Sequence, residues 1–120
     1  MTTASTVLVV LVALLHVYFL VLEMFLWDKP AGLKAFGQSR EQARATKVLA
    51  ANQGLYNGFL AAGLLMGVVQ GGSGFQFKVF FLSCVIIAGV FGALSASRKI
   101  LFIQAGPAAI CLIFVILSNW

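Results

Sequence analysis

A chain of 120 residues with 62% hydrophobic and only 9% charged residues, and a mean hydropathy of +1.05, has more apolar surface than a soluble domain of this size can cover with polar groups. It reads as an integral membrane protein. The net charge of +5 would suggest nucleic acid in a soluble protein. Here its placement along the chain carries the information instead, and no nucleic-acid partner is expected.

Apolar runs fall at about Val7–Trp27, Lys47–Val69, Phe75–Ala96 and Ile100–Asn119. Each is near the roughly 20 residues that cross about 30 Å of hydrocarbon at about 1.5 Å per residue. The expected fold is therefore all-α, a four-helix transmembrane bundle forming one domain over residues 1–120. No basic n-region precedes the first run and no small-residue cleavage site follows it, so it is expected to stay as a helix. The connection Asp28–Thr46 opens with Lys29-Pro30-Ala31-Gly32, which reads as an exposed turn. Ser39 with Gln42 resembles a capping box, predicting a helix from near Arg40 that runs unbroken into the second span. Leu33 and Phe36 would lie against lipid headgroups.

The second connection, Gln70-Gly71-Gly72-Ser73-Gly74, is short, uncharged and flexible, and makes the second and third spans an antiparallel hairpin. Ser97-Arg98-Lys99 forms a tighter turn before the fourth span. Pro107, after Gly106, lies inside that span, where a lost backbone hydrogen bond bends a helix.

Lys29, Lys34, Arg40, Arg44 and Lys47 crowd the first connection, and Arg98 and Lys99 the third; the second offers only Lys78, at a helix start. The positive-inside rule then predicts both basic connections in the cytoplasm and both termini outside. A bias of this strength also argues against insertion both ways round. Small-residue pairs at Gly54/Gly58 and Gly63/Gly67, at Ala88/Gly92 and Gly89/Ala93, and at Ala105/Ala109 mark faces where helices approach closely, within the bundle or in an oligomer. Cys84 and Cys111 lack the close spacing of a metal motif and read as small apolar packing residues.

The polar residues within the spans sort by depth. His16 and Glu23, seven residues apart, share a face of the first helix; Glu23 lies roughly 6 Å and His16 roughly 16 Å from its cytoplasmic end. In the second helix Asn52 and Gln53 lie roughly 8 Å deep, and Tyr56 and Asn57 roughly 14 Å deep. Gln104 of the fourth helix falls near the level of Glu23, with Ser95 close by. The strong polar groups thus gather in the cytoplasmic half, whereas the outer half is almost pure Val, Leu, Ile, Phe and Gly. Amides in such places commonly clamp helices together. An intramembrane Glu more often marks a site or pathway, although Glu23 is shallow enough to snorkel or to pair with Lys47 or Arg98. His16 is compatible with a proton relay, an axial haem ligand or a hydrogen-bonded core residue; the last is favoured, because no second strong metal ligand lies near it in sequence. Tyr18, Trp27 and Trp120 fit interfacial or packing positions.

Leu15-His16-Val17-Tyr18, Glu23-Met24-Phe25-Leu26-Trp27 and Asn52-Gln53-Gly54-Leu55-Tyr56-Asn57-Gly58, with Gln104 and Pro107, form a pattern along nearly the whole chain. It resembles the small bacterial integral membrane proteins grouped as domain of unknown function 1304. That resemblance implies a bacterial inner (plasma) membrane location and no particular activity. A more distant similarity is to the membrane-associated proteins of eicosanoid and glutathione metabolism, which are four-helix, usually trimeric enzymes with outside termini that act on lipophilic electrophiles. Arg40, Arg44 and Asn52 stand like the Arg and Asn residues of their second helix. The acidic residue that follows that Asn, and the later Arg and Tyr set, are missing, so the similarity implies architecture and a cytoplasm-facing site but not glutathione use.

Three functions compete. In the first, a pocket for a lipophilic small molecule, Glu23, Asn57 and Tyr56 are the candidate catalytic residues, with Glu23 as acid or base, and His16, Asn52, Gln53 and Gln104 are candidate ligand-binding residues. There is no nucleophile dyad, metal spacing or cofactor loop, which suits an isomerase or transferase; the sequence names no cofactor. In the second, Glu23 and His16 form the relay of a proton-linked small exporter. In the third, the protein is a structural or partner-binding membrane subunit. A homo-oligomer among membrane lipids is expected, a trimer for the enzyme-like architecture before a dimer for the exporter.

Overall fold

The structure, a computed structural model, describes residues 2–95, 99 and 101–119. It is all-α, and no strand occurs among the described residues. The helices are α1 (Thr3–Met24), α2 (Pro30–Phe36), α3 (Arg40–Val69), α4 (Phe75–Ser95) and α5 (Gly106–Ser118), with a 3-10 turn at Gly71–Gly74 and a π turn at Leu101–Ala105. Two stretches are long and apolar enough to cross a membrane, Thr3–Met24 and Gly71–Ser95; Phe102–Ser118 is apolar but shorter. Contacts divide the chain into two units, Leu14–Ala61 and the remainder, Met1–Ala13 with Ala62–Trp120.

In the Leu14–Ala61 unit, α1 stops where the Phe25 and Leu26 N–H groups both bond to the Val21 carbonyl, at 3.0 and 3.2 Å. The expected turn at Lys29-Pro30-Ala31-Gly32 is instead the start of a helix, and the reversal lies just before it. Lys29 is extended, with φ −96° and ψ 164°, and Pro30 opens α2. Both follow from the proline ring, which forces the preceding residue out of the helical region and supplies a helical φ where no N–H is needed. Gly32 is buried against the Leu26 and Trp27 carbonyls, and a side chain there would collide with the Leu26 oxygen. Gly37 ends α2 in the left-handed region, at φ 61°, a conformation glycine adopts without a Cβ clash. The capping box at the head of α3 is formed as expected. The Gln42 N–H donates to Ser39 Oγ at 3.1 Å and the Ser39 N–H to Gln42 Oε1 at 3.0 Å.

Trp27 fastens this region. Its indole packs on Phe36, with ring centroids 4.7 Å apart, and Nε1 donates to Thr46 Oγ1 at 3.1 Å. Phe36 thus packs on Trp27 while remaining partly exposed.

In the other unit, Thr2 caps α1 by accepting the Ser5 N–H on Oγ1 at 3.1 Å. α4 buries Lys78, Leu82, Val85 and Gly89, and α5 buries Ala108, Cys111 and Val115, each a stripe at helical spacing. Gly89 faces Ala105 closely: a Cβ on Gly89 would stand 2.7 Å from that of Ala105. Gly63 faces the Phe81 ring in the same manner. Pro107 sits in the first turn of α5, behind the π turn. The helix therefore accommodates the missing N–H by changing its hydrogen-bond register ahead of the proline.

Lys78 corrects a sequence expectation. It lies in the first turn of α4, at the helix start as expected, but is only 2% exposed, with its stem against Gly67. The part of the chain expected to be almost purely apolar therefore contains a buried base. Cys84 and Cys111 are free thiols, half-buried and buried. Ser97 and Arg98 of the expected third turn, and Trp120, lie outside the described residues.

Candidate functional site

The site is built on the Leu14–Ala61 unit by two helical stripes. On α1, His16, Leu20 and Glu23 follow one another at i, i+4 and i+7, which places them on one face. On α3, Gln53 and Asn57 are four residues apart, with Gly54 and Gly58 beside them. A Cβ on Gly54 would stand 2.6 Å from Met24 Cγ, 3.1 Å from Glu23 Cβ and 3.3 Å from the Leu20 oxygen. The missing side chain is what lets the Glu23 backbone approach α3, and Gly58 makes the same room for Leu20.

Glu23 is only 4% exposed, and its carboxyl is held by both amides of that α3 stripe. Gln53 Nε2 donates to Oε2 at 3.0 Å, and Asn57 Nδ2 donates to Oε1 at 2.5 Å. Asn57 is buried, whereas Gln53 reaches the surface, so the carboxyl lies one side chain below it. Both carboxyl oxygens are thus occupied by neutral N–H donors. Such donors orient the group and can support charge on it. Lys47, one cation the sequence offered to Glu23, pairs instead with Asp28 at 3.2 Å; Arg98, the other, lies outside the described residues.

Depth matched Asn52 and Tyr56 to this group, but rotation about α3 separates them from it. Asn52 Nδ2 donates to Tyr56 Oη at 3.2 Å on an exposed face of α3, beside the exposed Val48, Leu49 and Phe59. His16 is fully buried and meets Phe19 edge-on, with ring centroids 5.3 Å apart. Gln104 belongs to the other unit, in the π turn, and is half-buried. Ser95 is exposed and bonds back to the Phe91 carbonyl at 2.7 Å. Among the described residues no three His, Cys, Asp or Glu side chains gather as a metal ion requires.

Of the sequence candidates, the fold therefore joins Glu23, Gln53 and Asn57 directly. Lys78, counted in the sequence as a basic residue at a helix start, is a further buried ionisable residue, and its burial is what charge counting does not show. The signal that could have found it is the facing Gly67, whose lack of a side chain leaves room for the lysine stem.

Residues 10–116 match the model of a family described as "Protein of unknown function (DUF1304)". The chain belongs to this family. A protein of Lactococcus lactis subsp. lactis (strain IL1403), called uncharacterized protein YpaA, is 30% identical over 115 residues, which are 94% of this chain and 97% of that one. No solved structure matches the chain.

Proposed function

We propose that this DUF1304 protein is a four-helix membrane protein of the bacterial inner membrane that binds a lipophilic small molecule at Glu23, Gln53 and Asn57, a site that also holds the groups for acid or base chemistry on it. The four spans are α1, α3, α4 and the α5 segment, with both termini outside and the basic connections in the cytoplasm. Support for the membrane comes from α1 and α4, whose length and composition suit a crossing. It comes also from large apolar side chains left exposed along them, such as Leu11, Leu14, Phe80, Ile87 and Phe91, a pattern costly in water and ordinary in lipid.

The observation that carries the functional reading is the buried carboxyl held by two amides from a neighbouring helix. A purely structural clamp is served by amides alone, whereas an ionisable group at this depth is expensive and characteristic of a site. Glu23 would serve as acid or base, with Gln53 and Asn57 orienting it. The exporter reading is favoured by one feature, that His16 and Glu23 are both buried on one stripe of α1. A homo-oligomer fits either reading, a trimer the first and a two-fold dimer the second.

The test is native mass spectrometry with an ultraviolet-visible spectrum on the gently purified oligomer. The expected result is a retained lipophile or chromophore that is lost in Glu23→Gln and Asn57→Leu. Oligomers that are empty and equally stable in the wild type and both variants would overturn the reading in favour of a structural subunit.

A further inference from the structure

From the same cluster we infer the charge class of the ligand: Glu23, Gln53 and Asn57 form a receptor for a lipophilic organic cation, such as a quaternary ammonium or phosphonium group. The inference rests on the ligand-binding reading of the site and makes it specific.

The chemistry of the donors carries the argument. Glu23 is nearly enclosed, and both its oxygens accept hydrogen bonds from side chains with no net charge, Gln53 and Asn57. Two amide dipoles orient a carboxylate and partly stabilise it, but they do not neutralise it. In a low-dielectric setting an anion without a counter-charge is costly, and a cation brought beside it gains a large part of that cost back. Among the described residues no Lys, Arg or His side chain stands in ion-pair range of Glu23. Lys47 is engaged by Asp28, and His16 is about 10 Å away along the helix axis.

The approach to the carboxyl favours the same chemistry. Each carboxyl oxygen already holds one donor, so a ligand that donates a directed hydrogen bond is confined to the lone pair that Gln53 or Asn57 leaves. A diffuse cation needs only proximity. Gln53 is the exposed member of the trio, so displacing one side chain opens the route, and Met24 and Leu20, half-buried against Gly54 and Gly58, present apolar surface for the body of the molecule. A permanently bound proton would satisfy the same charge requirement, and it is separated from the proposal by the outcome below.

The experiment is equilibrium dialysis of the full-length protein in a nonionic detergent with two probes of matched size and shape but opposite charge, tetraphenylphosphonium and tetraphenylborate. Tetraphenylphosphonium is expected to bind at least about tenfold more tightly, a difference of about 1.4 kcal/mol or more. That preference should be lost in Glu23→Gln and largely kept in Glu23→Asp, each variant being checked for the wild-type elution volume. The wild-type comparison of the two probes decides the sign of the charge even where a variant does not fold. Equal binding of both probes, or phosphonium binding unchanged in a folded Glu23→Gln, would overturn the charge assignment. If in addition a retained lipophile is still lost in Glu23→Gln, the ligand site stands and its ligand is neutral, as a protonated Glu23 requires. If neither probe binds and no lipophile is retained, both readings fall together.

Discussion

Asn57 reaches Glu23 across 34 positions of sequence, its Nδ2 donating to Oε1 inside the protein. Replacing Asn57 by Leu leaves the carboxyl with one donor and an apolar group against it. A buried hydrogen bond to a group of this kind costs about 1–3 kcal/mol when one partner is removed. The double variant Glu23→Gln with Asn57→Leu should lose less than the sum of the single variants, by a coupling of about 0.5–2 kcal/mol. Unfolding midpoints of the four proteins in one detergent provide the cycle. Strict additivity would show that the contact contributes nothing to stability.

The glycines predict a graded series, because what a methyl group meets differs at each. At Gly32 it meets the fixed Leu26 carbonyl, at Gly54 the Met24 side chain with Glu23 and the Leu20 oxygen behind, at Gly58 only the tip of Leu20, and at Gly72 open space. Overpacking costs about 1–3 kcal/mol where neighbours cannot yield. The expected order of destabilisation by alanine is therefore Gly32, then Gly54, then Gly58, with Gly72→Ala within about 0.5 kcal/mol of wild type. Gly71 has equally open space but a φ of 63°, so Gly71→Ala should cost about 1–2 kcal/mol from the backbone alone. Thermal unfolding of the five variants checks the order. A Gly72→Ala loss as large as that of Gly32→Ala would contradict the packing described.

Much of this was legible from the residues themselves, and the failures have physical causes. Ser39 and Gln42 gave the head of α3 because a capping box is local, closed within four residues. Pro30 reads as a turn in the sequence because a proline after an extended residue opens a turn and a helix equally well. The choice was made by a non-local contact, Gly32 lying on the Leu26 carbonyl. Counting depth brought Asn57 and Gln53 to the level of Glu23, but it says nothing of rotation. With about 100° per residue, Asn52 and Tyr56 at nearly the same depths point elsewhere. Lys78 reads in the sequence only as a basic residue at a helix start, because its burial depends on Gly67, a neighbour no local pattern reveals.

Orientation is open to direct labelling. Lys29, Lys34, Arg40 and Arg44 are all exposed around α2 and the start of α3, and basic residues flanking a span are retained in the cytoplasm. A cysteine placed at Ala35 should react with a membrane-impermeant maleimide in inverted vesicles and stay unlabelled in spheroplasts. One at Ser73, exposed in the turn before α4, should do the reverse. The native Cys84 and Cys111 are replaced by Ala in both. Labelling of both sites from the same side would mean that α3 does not cross the membrane, and an exchange of the two patterns would invert the topology.

The Asp28–Lys47 pair, 3.2 Å apart beside the end of α1, makes a prediction in pH. The hydrogen bond and charge of Lys47 hold the Asp28 carboxyl below its ordinary value. A carboxyl lowered in the folded state stabilises that state where it is ionised, above its ordinary unfolded value. The contribution disappears as pH falls through the lowered folded value, because both states are then protonated. Asp28→Asn should therefore unfold at a lower temperature than the wild type near pH 7, with the gap closing as the pH is taken below the usual carboxylate range. Lys47 is 55% exposed, so molar salt should narrow the neutral-pH gap as well, the screening length at 1 M being about 3 Å. The two proteins are compared by thermal unfolding at matched ionic strength across that range. A gap that persists in acid would assign the Asp28 effect to packing or to the turn it occupies rather than to its charge.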